Sequence, residues 1–288
     1  MGTDSSAAGD DPEDLTQLVQ RAASDWLALR RPADETARSL TCPALALLDT
    51  HLASRLGARE AVTVLDLGAG TGANMAWLAP RLTVPQRWVL VDRDEDLLHL
   101  AALDRPPATV LAVHRVAAEL DDLHRDGVAG SRPDLVTCSA FLDVLTLRQV
   151  RELAAFVVST GAAALLSLTV TGVVRLHPEA ELDFRIEEEF NAHQRRVGLA
   201  GPGATALAAQ ALRDGGRMVE MIDTPWVLGS DEAPLLERYL SDRVAAVIEH
   251  DPALSGEAEQ WLGLRLSQLR DRALSVEVGH ADLMALPS

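Results

Sequence analysis

Residues 63 to 82, TVLDLGAGTGANMAWLAPRL, read as an apolar strand, a glycine-rich turn and the start of a helix. Gly68, Gly70 and Gly72 carry no Cβ atoms, so the backbone can turn sharply there and approach a ligand closely. In a doubly wound α/β sheet, the ligand loop follows the carboxyl end of the first strand. The stretch therefore predicts a fold of this type, with a ligand at the glycine turn.

The sequence beyond the turn repeats the alternation of strand and helix. Short apolar runs resembling strands occur at 61–67, 87–92, 109–116, 133–140 and 164–170, with helical stretches starting near Thr71, Glu95, Ala118 and Leu147. Later strands are predicted at 217–223 and 273–280, which makes seven in all. Such alternation predicts a mostly parallel sheet covered by helices on both faces.

The domain organisation follows from this alternation. The acidic, polar residues 1–12 are expected to be disordered, and 13–56 to form an N-terminal helical cap with breaks at Pro32 and Pro43. Residues 57–288 are expected to form the α/β domain. It should carry two mainly helical cap insertions, at 172–200 and 231–273.

Two kinds of ligand fit the glycine turn. With Ala73, the turn matches the G-x-G-x-x-[GA] pattern that holds a dinucleotide pyrophosphate. Asp66 stands two residues before the first glycine, where a carboxylate would repel a pyrophosphate but attract an ammonium or sulfonium group. Asp92 ends the second strand, and a carboxylate there can bind ribose hydroxyls in either case. Asp66 thus favours a cationic ligand over a dinucleotide.

The sequence DLGAGTG, 66–72, resembles motif I of the class I S-adenosylmethionine-dependent methyltransferases. VLVDRDEDLL (89–98), HRVAAEL (114–120) and PDLVTCSAFLDVL (133–145) are similar to the next three motifs, in order and at family spacing. WLALRRPADETARSL (26–40) resembles the N-terminal helices of actinobacterial small-molecule methyltransferases. The resemblance implies S-adenosylmethionine as cofactor and a cofactor site made by Asp66, Gly68, Ala69, Gly70, Asp92, Arg93, Glu119, Ser139 and Arg38. Arg38 either pairs with the methionine carboxylate or forms a surface ion pair.

Two residues are candidates for a general base. Asp143 follows the fourth strand and either faces the methyl acceptor or caps a helix. His193 lies in the charged segment 182–196, which is either part of a lid or a solvated helix face. Trp226 is expected either to line the acceptor pocket or to pack in the core, and His280 is given no role.

The acceptor is expected to be a small molecule. The formal charge of −17 argues against a nucleic-acid partner, because phosphates are bound by clustered lysine and arginine. The fourth motif also lacks the Asn-Pro-Pro-Tyr signature of enzymes that methylate adenine or glutamine. The two alternatives to a methyltransferase are an NAD(P)-dependent oxidoreductase and a non-catalytic, cofactor-binding regulatory protein.

The remaining expectations concern metals, membranes and the cell compartment. No His, Asp or Glu cluster has the spacing of metal ligands, so no metal site is predicted. Cys42 and Cys138 are far apart, and residues 1–14 lack the pattern of a signal peptide, so a reducing cytoplasm is expected. The uncharged stretch 153–174 has the length of a membrane span, but Gly161 divides it, which favours a helix end followed by a buried strand. No membrane partner is therefore expected, and no oligomeric state is predicted.

Overall fold

A computed structural model describes residues 24–101, 106–123 and 132–288. Its centre is an eight-stranded sheet in which seven strands follow the order β3-β2-β1-β4-β5-β8-β6, while the short β7 pairs with β8. The strands are β1 (Val62–Leu67), β2 (Gln86–Asp92), β3 (Val110–Ala117), β4 (Leu135–Ser139), β5 (Ala163–His177), β6 (Arg217–Asp223), β7 (Trp226–Leu228) and β8 (Ser275–Pro287).

The direction of the strands defines the fold. The first five strands pair in parallel, whereas β8 runs antiparallel to both β5 and β6. Strand order reverses between β1 and β4, and a parallel sheet places ligands beyond the carboxyl ends of the strands at such a point. This topology confirms the doubly wound seven-stranded sheet of the class I methyltransferase fold, to which β7 adds an eighth strand.

Nine α-helices surround the sheet in the described part of the chain. They are α1 (Ser24–Arg38), α2 (Cys42–Leu56), α3 (Ala73–Leu78), α4 (Glu95–Leu100), α5 (Leu147–Thr160), α6 (Asp183–Gln194), α7 (Ala204–Asp214), α8 (Ala233–His250) and α9 (Ser255–Arg270). Helices α5 and α7 pack their buried residues on one face of the sheet, and α2 and α3 pack on the other. The central strands β1 and β4 and the first half of β5 are almost wholly buried, as a sheet covered on both faces requires.

A third apolar cluster joins helices from three separate segments of the chain. Residues of α1, α6, α8 and α9 pack together against β7 and the adjoining ends of β5 and β8. These helices form a layer beside the carboxyl edge of the sheet, built from residues of 24–38, 183–194 and 233–270.

Several element boundaries differ from the sequence predictions. Strand β5 continues through His177, into the segment expected to be an insertion, because Val174 to His177 pair with the first residues of β8. Strand β8 likewise runs on to Pro287 rather than ending at residue 280. Helix α1 passes through Pro32, which does not break it, since Pro32 and Ala28 are exposed and water can reach the carbonyl that proline leaves unbonded.

Three further predictions have mixed outcomes. The stretch 153–174 is the end of α5 followed by β5, as predicted, and no helix among the described residues is both long and apolar enough to cross a membrane. After β3 the described residues contain only a short 3-10 turn, Leu120–Asp122, and the rest of the helix expected near Ala118 falls outside the described residues. The predicted disordered segment 1–12 also lies outside them.

Candidate functional site

The glycine turn has the backbone conformation that its sequence predicts. Gly68, Gly70 and Gly72 have φ angles of 61°, 50° and 78°, in the left-handed region that favours glycine. A Cβ atom at Gly68 would lie 2.4 Å from the ring of Phe141, so only glycine allows this ring to cover the turn. The turn is therefore shaped both by its own glycines and by the loop after β4.

Asp92 ties the second strand to the glycine turn. Its Oδ2 accepts a hydrogen bond from the Gly70 amide (2.8 Å), and its Oδ1 accepts one from the Asp94 amide (2.9 Å). Asp92 lines a cavity of about 630 Å³ together with Gly68, Arg93 and Glu119. We call this the strand-end cavity, because its walls follow the ends of β1, β2, β3 and β4.

A second cavity, of about 230 Å³, lies on the other side of the glycine turn and is called the glycine-loop cavity. Arg38 and Asn74 form its charged and polar end. Arg38 is buried, stacks on Trp77 with its Cζ 3.9 Å from the ring centroid, and donates from Nη2 to Asn74 Oδ1 (2.7 Å). Asn74 in turn donates from Nδ2 to Asp66 Oδ1 (2.6 Å). Asp66 thus lies beneath this cavity rather than in its wall.

Burial shifts the ionisation of both charged ends of this chain of hydrogen bonds. Desolvation raises the pKa of Asp66 to about 7, against the smaller opposing effects of the Asn74 hydrogen bond and the Arg38 charge. Desolvation also lowers the pKa of Arg38 to about 10, so Arg38 remains a cation at neutral pH. Asp66 Oδ2 and Arg38 Nε are buried and have no hydrogen-bond partner among the described residues. The hydrogen-bonding capacity of both atoms is therefore unused among the described residues.

A third cavity, of about 320 Å³, opens between the sheet and the helical layer. Four aromatic side chains line it: Trp26, Phe190, Trp226 and Tyr239. Because these include the only tyrosine and two of the five tryptophans of the chain, we call it the aromatic cavity. Its polar lining residues are Arg30, Asp143, Asn191, Gln194, Asp242, Arg243 and His280.

The three cavities meet at the loop after β4. Phe141 lines both the strand-end and the glycine-loop cavities, Ala140 lines the glycine-loop and the aromatic cavities, and Val144 lines all three. Ala140 has a φ of 52°, an unusual value for a residue other than glycine. Its amide donates to the Ser167 carbonyl of β5 (2.9 Å), which helps to hold this conformation. The strand-end, glycine-loop and aromatic cavities therefore all border the same loop.

Burial shifts the pKa values of several residues that line the aromatic cavity, Asp143 and His280 among them. Burial raises the pKa of Asp143, although the charge of Arg30 opposes this shift. Burial lowers the pKa of His280 to about 3, and the positive charge of Arg30 adds to the effect, so His280 is neutral at pH 7. His280 Nδ1 lies 3.0 Å from the Val278 carbonyl oxygen, which can only accept, so Nδ1 carries the proton and Nε2 offers a lone pair.

The structure brings together most of the predicted cofactor residues. Gly68, Ala69, Gly70, Asp92, Arg93, Ser139 and Arg38 line the glycine-loop cavity, and Glu119 lines the strand-end cavity. Asp66 lines neither cavity, but it accepts a hydrogen bond from Asn74, which lines the glycine-loop cavity. Trp226 is both a core and a cavity residue, because it is 3% exposed, packs in the third cluster and lines the aromatic cavity.

His193 lies elsewhere. Its ring is buried between Arg196 and Glu249, with Nδ1 2.8 Å from Arg196 Nη1 and Nε2 3.2 Å from Glu249 Oε2. It lines none of the three cavities. Helix α6 instead turns Phe190, Asn191 and Gln194 toward the aromatic cavity. The geometry therefore gives no support to the prediction of His193 as a base.

Sequence reasoning missed Asn74, Arg30, Arg243 and the cavity position of His280. Asn74 had a local signal, since it follows the glycine turn by two residues in the first turn of α3. The other three come from α1, α8 and β8, and nothing local in the sequence indicates that these segments meet.

Within the described residues there is no group of three or more His, Cys, Asp or Glu side chains able to hold a metal ion.

No family model and no curated protein matches the chain. Among solved structures, the YcgJ protein of Bacillus subtilis shares 14% identity, with 83% of this chain and 99% of that one covered and a TM-score of 0.45. The cyclopropane synthase MmaA2 of Mycobacterium tuberculosis shares 14% identity, with 83% of both chains covered and a TM-score of 0.43. A phosphoethanolamine N-methyltransferase of Haemonchus contortus shares 15%, with 84% of this chain and 52% of that one covered and a TM-score of 0.41.

Similarities at this level of identity and TM-score do not indicate which ligand this chain binds or which reaction it catalyses. The class of the protein is defined by its own strand order, its glycine turn and the cavities at the carboxyl edge of the sheet. These features define a class I methyltransferase fold with a groove, made of the strand-end and glycine-loop cavities, on both sides of the turn.

Proposed function

We propose that the protein is a methyltransferase that transfers the methyl group of S-adenosylmethionine to a small-molecule acceptor. The observation that carries the proposal is the chain of hydrogen bonds from Arg38 through Asn74 to Asp66 at the end of the glycine-loop cavity. This chain offers a cation with an unpartnered Nε and, just beneath, a buried acid with an unpartnered oxygen. The two ends match the carboxylate and the ammonium of a methionine moiety.

Three parts of the groove would hold the rest of the cofactor. The strand-end cavity would take the adenine, beside Glu119 and Arg93, and Asp92 would bind the ribose hydroxyls. Both Asp92 oxygens accept backbone N–H groups, but each carboxylate oxygen can accept a second hydrogen bond. Asp92 would therefore bind the ribose while still anchoring the turn. The sulfonium would lie near Ser139 and Ala140, where the cavities join.

The bound cofactor would supply a methyl group on a positively charged sulfur, which is already a strong electrophile. The protein then has to align the acceptor with the methyl, exclude water and, for a protonated nucleophile, remove one proton. Asp143 is the proposed base, because it lines the aromatic cavity and its raised pKa makes it a stronger base than an ordinary aspartate.

The aromatic cavity supports a small acceptor. Its volume of about 320 Å³ falls at the small end of ligand pockets, and its walls are mostly apolar with a few polar groups. The formal charge of −17 would oppose binding to DNA or RNA, so neither is a proposed partner. No membrane partner is proposed, and cytoplasmic localisation remains a sequence-based proposal.

A nicotinamide dinucleotide is less well matched to the groove. The Gly70 amide, which a pyrophosphate would need, already donates to Asp92, and the buried Asp66 lies below the same turn. A further negative charge there would be repelled by both carboxylates. The regulatory alternative, a protein that binds the cofactor without turnover, shares the same groove and differs only in activity.

Calorimetric titration tests the proposal. S-adenosylmethionine and S-adenosylhomocysteine should bind, and NADH and NADPH should not. Asp92→Ala should weaken S-adenosylhomocysteine binding about tenfold to a hundredfold, the scale of lost hydrogen bonds to a charged group. Asp223→Ala, an exposed carboxylate at the end of β6, should leave the affinity unchanged. NADH binding without S-adenosylhomocysteine binding would overturn the proposal, and cofactor binding without turnover on any acceptor would favour the regulatory alternative.

A further inference from the structure

We infer that the aromatic cavity holds a planar aromatic acceptor that carries a carboxylate or a similar anionic oxygen group, and that Arg243 binds this group. The inference rests on the proposed function and names the chemical class of its acceptor. It follows from the rings that line the cavity and from the unpaired arginine in its wall.

The rings of the cavity form a connected set around Trp226. The ring centroid of Trp226 lies 6.5 Å from that of Trp26, 6.4 Å from that of Tyr239 and 4.7 Å from that of His280. The Trp26 and Tyr239 rings are steeply inclined to Trp226, at 60° and 68°. Because the rings are inclined to one another, an aromatic occupant could stack on the face of one ring and meet the edge of another.

Arg243 contacts these rings and has no anionic partner among the described residues. It is 3% exposed, its Nη1 donates to the Tyr239 hydroxyl (2.8 Å), and its Cζ lies 4.2 Å from the Phe190 ring centroid. Its Nη2 is buried without a hydrogen-bond partner, and no carboxylate of a described residue forms an ion pair with it. A buried cation in this state carries a desolvation penalty that an anion would offset.

Other arginines of the helical layer are paired with carboxylates. Arg265 of α9, also buried, forms an ion pair with Asp183, and Arg30 of α1, which also lines the aromatic cavity, binds Asp34 with its Nε 2.8 Å from Oδ2. Asp242, the residue before Arg243, is exposed and pairs with Arg238 (2.7 Å). Of the two arginines among the described residues that line the aromatic cavity, Arg243 is the one without a carboxylate partner there.

The wall beside Arg243 also contains unpartnered hydrogen-bond acceptors. Asn191 Oδ1 and Gln194 Oε1, both on α6, are buried without a donor among the described residues. A hydroxyl or amine on the same occupant would satisfy such oxygens. The wall thus suits a molecule that combines an anionic group with a hydrogen-bond donor.

Binding of two matched probes tests the inference. 2-Naphthoate and its neutral analogue 2-naphthamide are titrated into the full-length protein, with and without saturating S-adenosylhomocysteine. The naphthoate should bind about tenfold to a hundredfold more tightly than the amide, the range expected for hydrogen bonds to a charged group. Arg243→Gln should remove this preference and leave the amide affinity within about twofold, because the rings that bind the naphthalene are unchanged.

Two variants control the experiment. Arg185→Gln removes an exposed α6 arginine that pairs with Glu257 outside the cavity, and it should keep the full preference. Arg243→Lys retains the positive charge and should keep part of the preference, which guards against a folding defect in Arg243→Gln.

Two results would overturn the inference: equal or undetectable binding of both probes to the wild-type protein, or an unchanged preference in Arg243→Gln. Failure of the proposed function would instead show as absent S-adenosylhomocysteine binding, which is measured separately.

Discussion

Replacing Asp66 by asparagine should make the protein more stable at pH 8 while leaving its stability near pH 4 almost unchanged. Asp66 is fully buried, and burial raises its folded-state pKa to about 7 from the ordinary value of 3.8. Between these two values the unfolded chain loses the proton while the folded protein keeps it. Stability therefore falls as pH rises from about 4 to about 7, and the full penalty is present above pH 7.

The size of the penalty follows from the pKa shift. A shift of about three units, at 1.36 kcal/mol per unit, corresponds to about 4 kcal/mol at pH 8. Asparagine retains an Oδ1 that can accept the hydrogen bond from Asn74 Nδ2, so this contact survives the substitution. The shift of about three units already includes the attraction between Asp66 and Arg38, which lowers the pKa but is outweighed by burial.

Urea denaturation at pH 4.5 and pH 8 measures this effect. The free-energy difference between the variant and the wild type should grow in favour of the variant as pH rises. Asp134→Asn is the matched control, because Asp134 is also buried but accepts hydrogen bonds from both Nη atoms of Arg59 (2.9 Å each). Loss of that ion pair should destabilise the protein at both pH values.

The same residue links protonation to the ligand. An ammonium group in the glycine-loop cavity would favour the charged form of Asp66, so S-adenosylhomocysteine binding at pH 7 should release part of a proton. Calorimetry in buffers with different ionisation enthalpies detects this release, and Asp66→Asn should abolish it. Parallel pH profiles for both proteins, together with no proton release, would refute the reasoning.

Two other predictions concern the glycine turn and the base. Gly68→Ala should lower S-adenosylhomocysteine affinity at least about tenfold by calorimetry, because it forces a left-handed alanine and displaces Phe141, whereas Gly203→Ala meets open space and should bind normally. Asp143→Asn should lower kcat by about 10²–10⁴ with cofactor affinity unchanged, and His193→Ala should leave kcat at the wild-type value. Wild-type kcat in Asp143→Asn would leave alignment as the mechanism.

The sheet was predictable because its signals are local. Each central strand is a continuous apolar run, and the glycine turn that follows β1 has one favoured structural context. The ends of β5 and β8 were not predictable in this way. Leu176 and His177 are strand residues because they pair with Val276 and Ser275, about a hundred residues away in the sequence, and this end of β5 has no apolar run of its own.

The cofactor side of the site was largely predictable, and the acceptor side was not. Asp92 and Ser139 end strands, and the fold brings such ends together regardless of the cap. Arg30, Arg243 and His280 meet only because α1, α8 and β8 pack into one layer, and single residues in amphipathic helices give no signal of that packing. The segment of His193 was predicted as part of a lid or as a solvated helix face, and the sequence did not indicate that Phe190, Asn191 and Gln194, rather than His193, line the cavity.

The most direct test of the proposed function is a crystal structure of the protein with S-adenosylhomocysteine bound. The adenine should lie in the strand-end cavity beside Glu119, the ribose on Asp92 and the amino-acid end in the glycine-loop cavity beside Arg38. The sulfur should point past Ala140 into the aromatic cavity. A ligand that leaves the glycine turn empty, or whose sulfur points away from the aromatic cavity, would contradict the assignment of both sites.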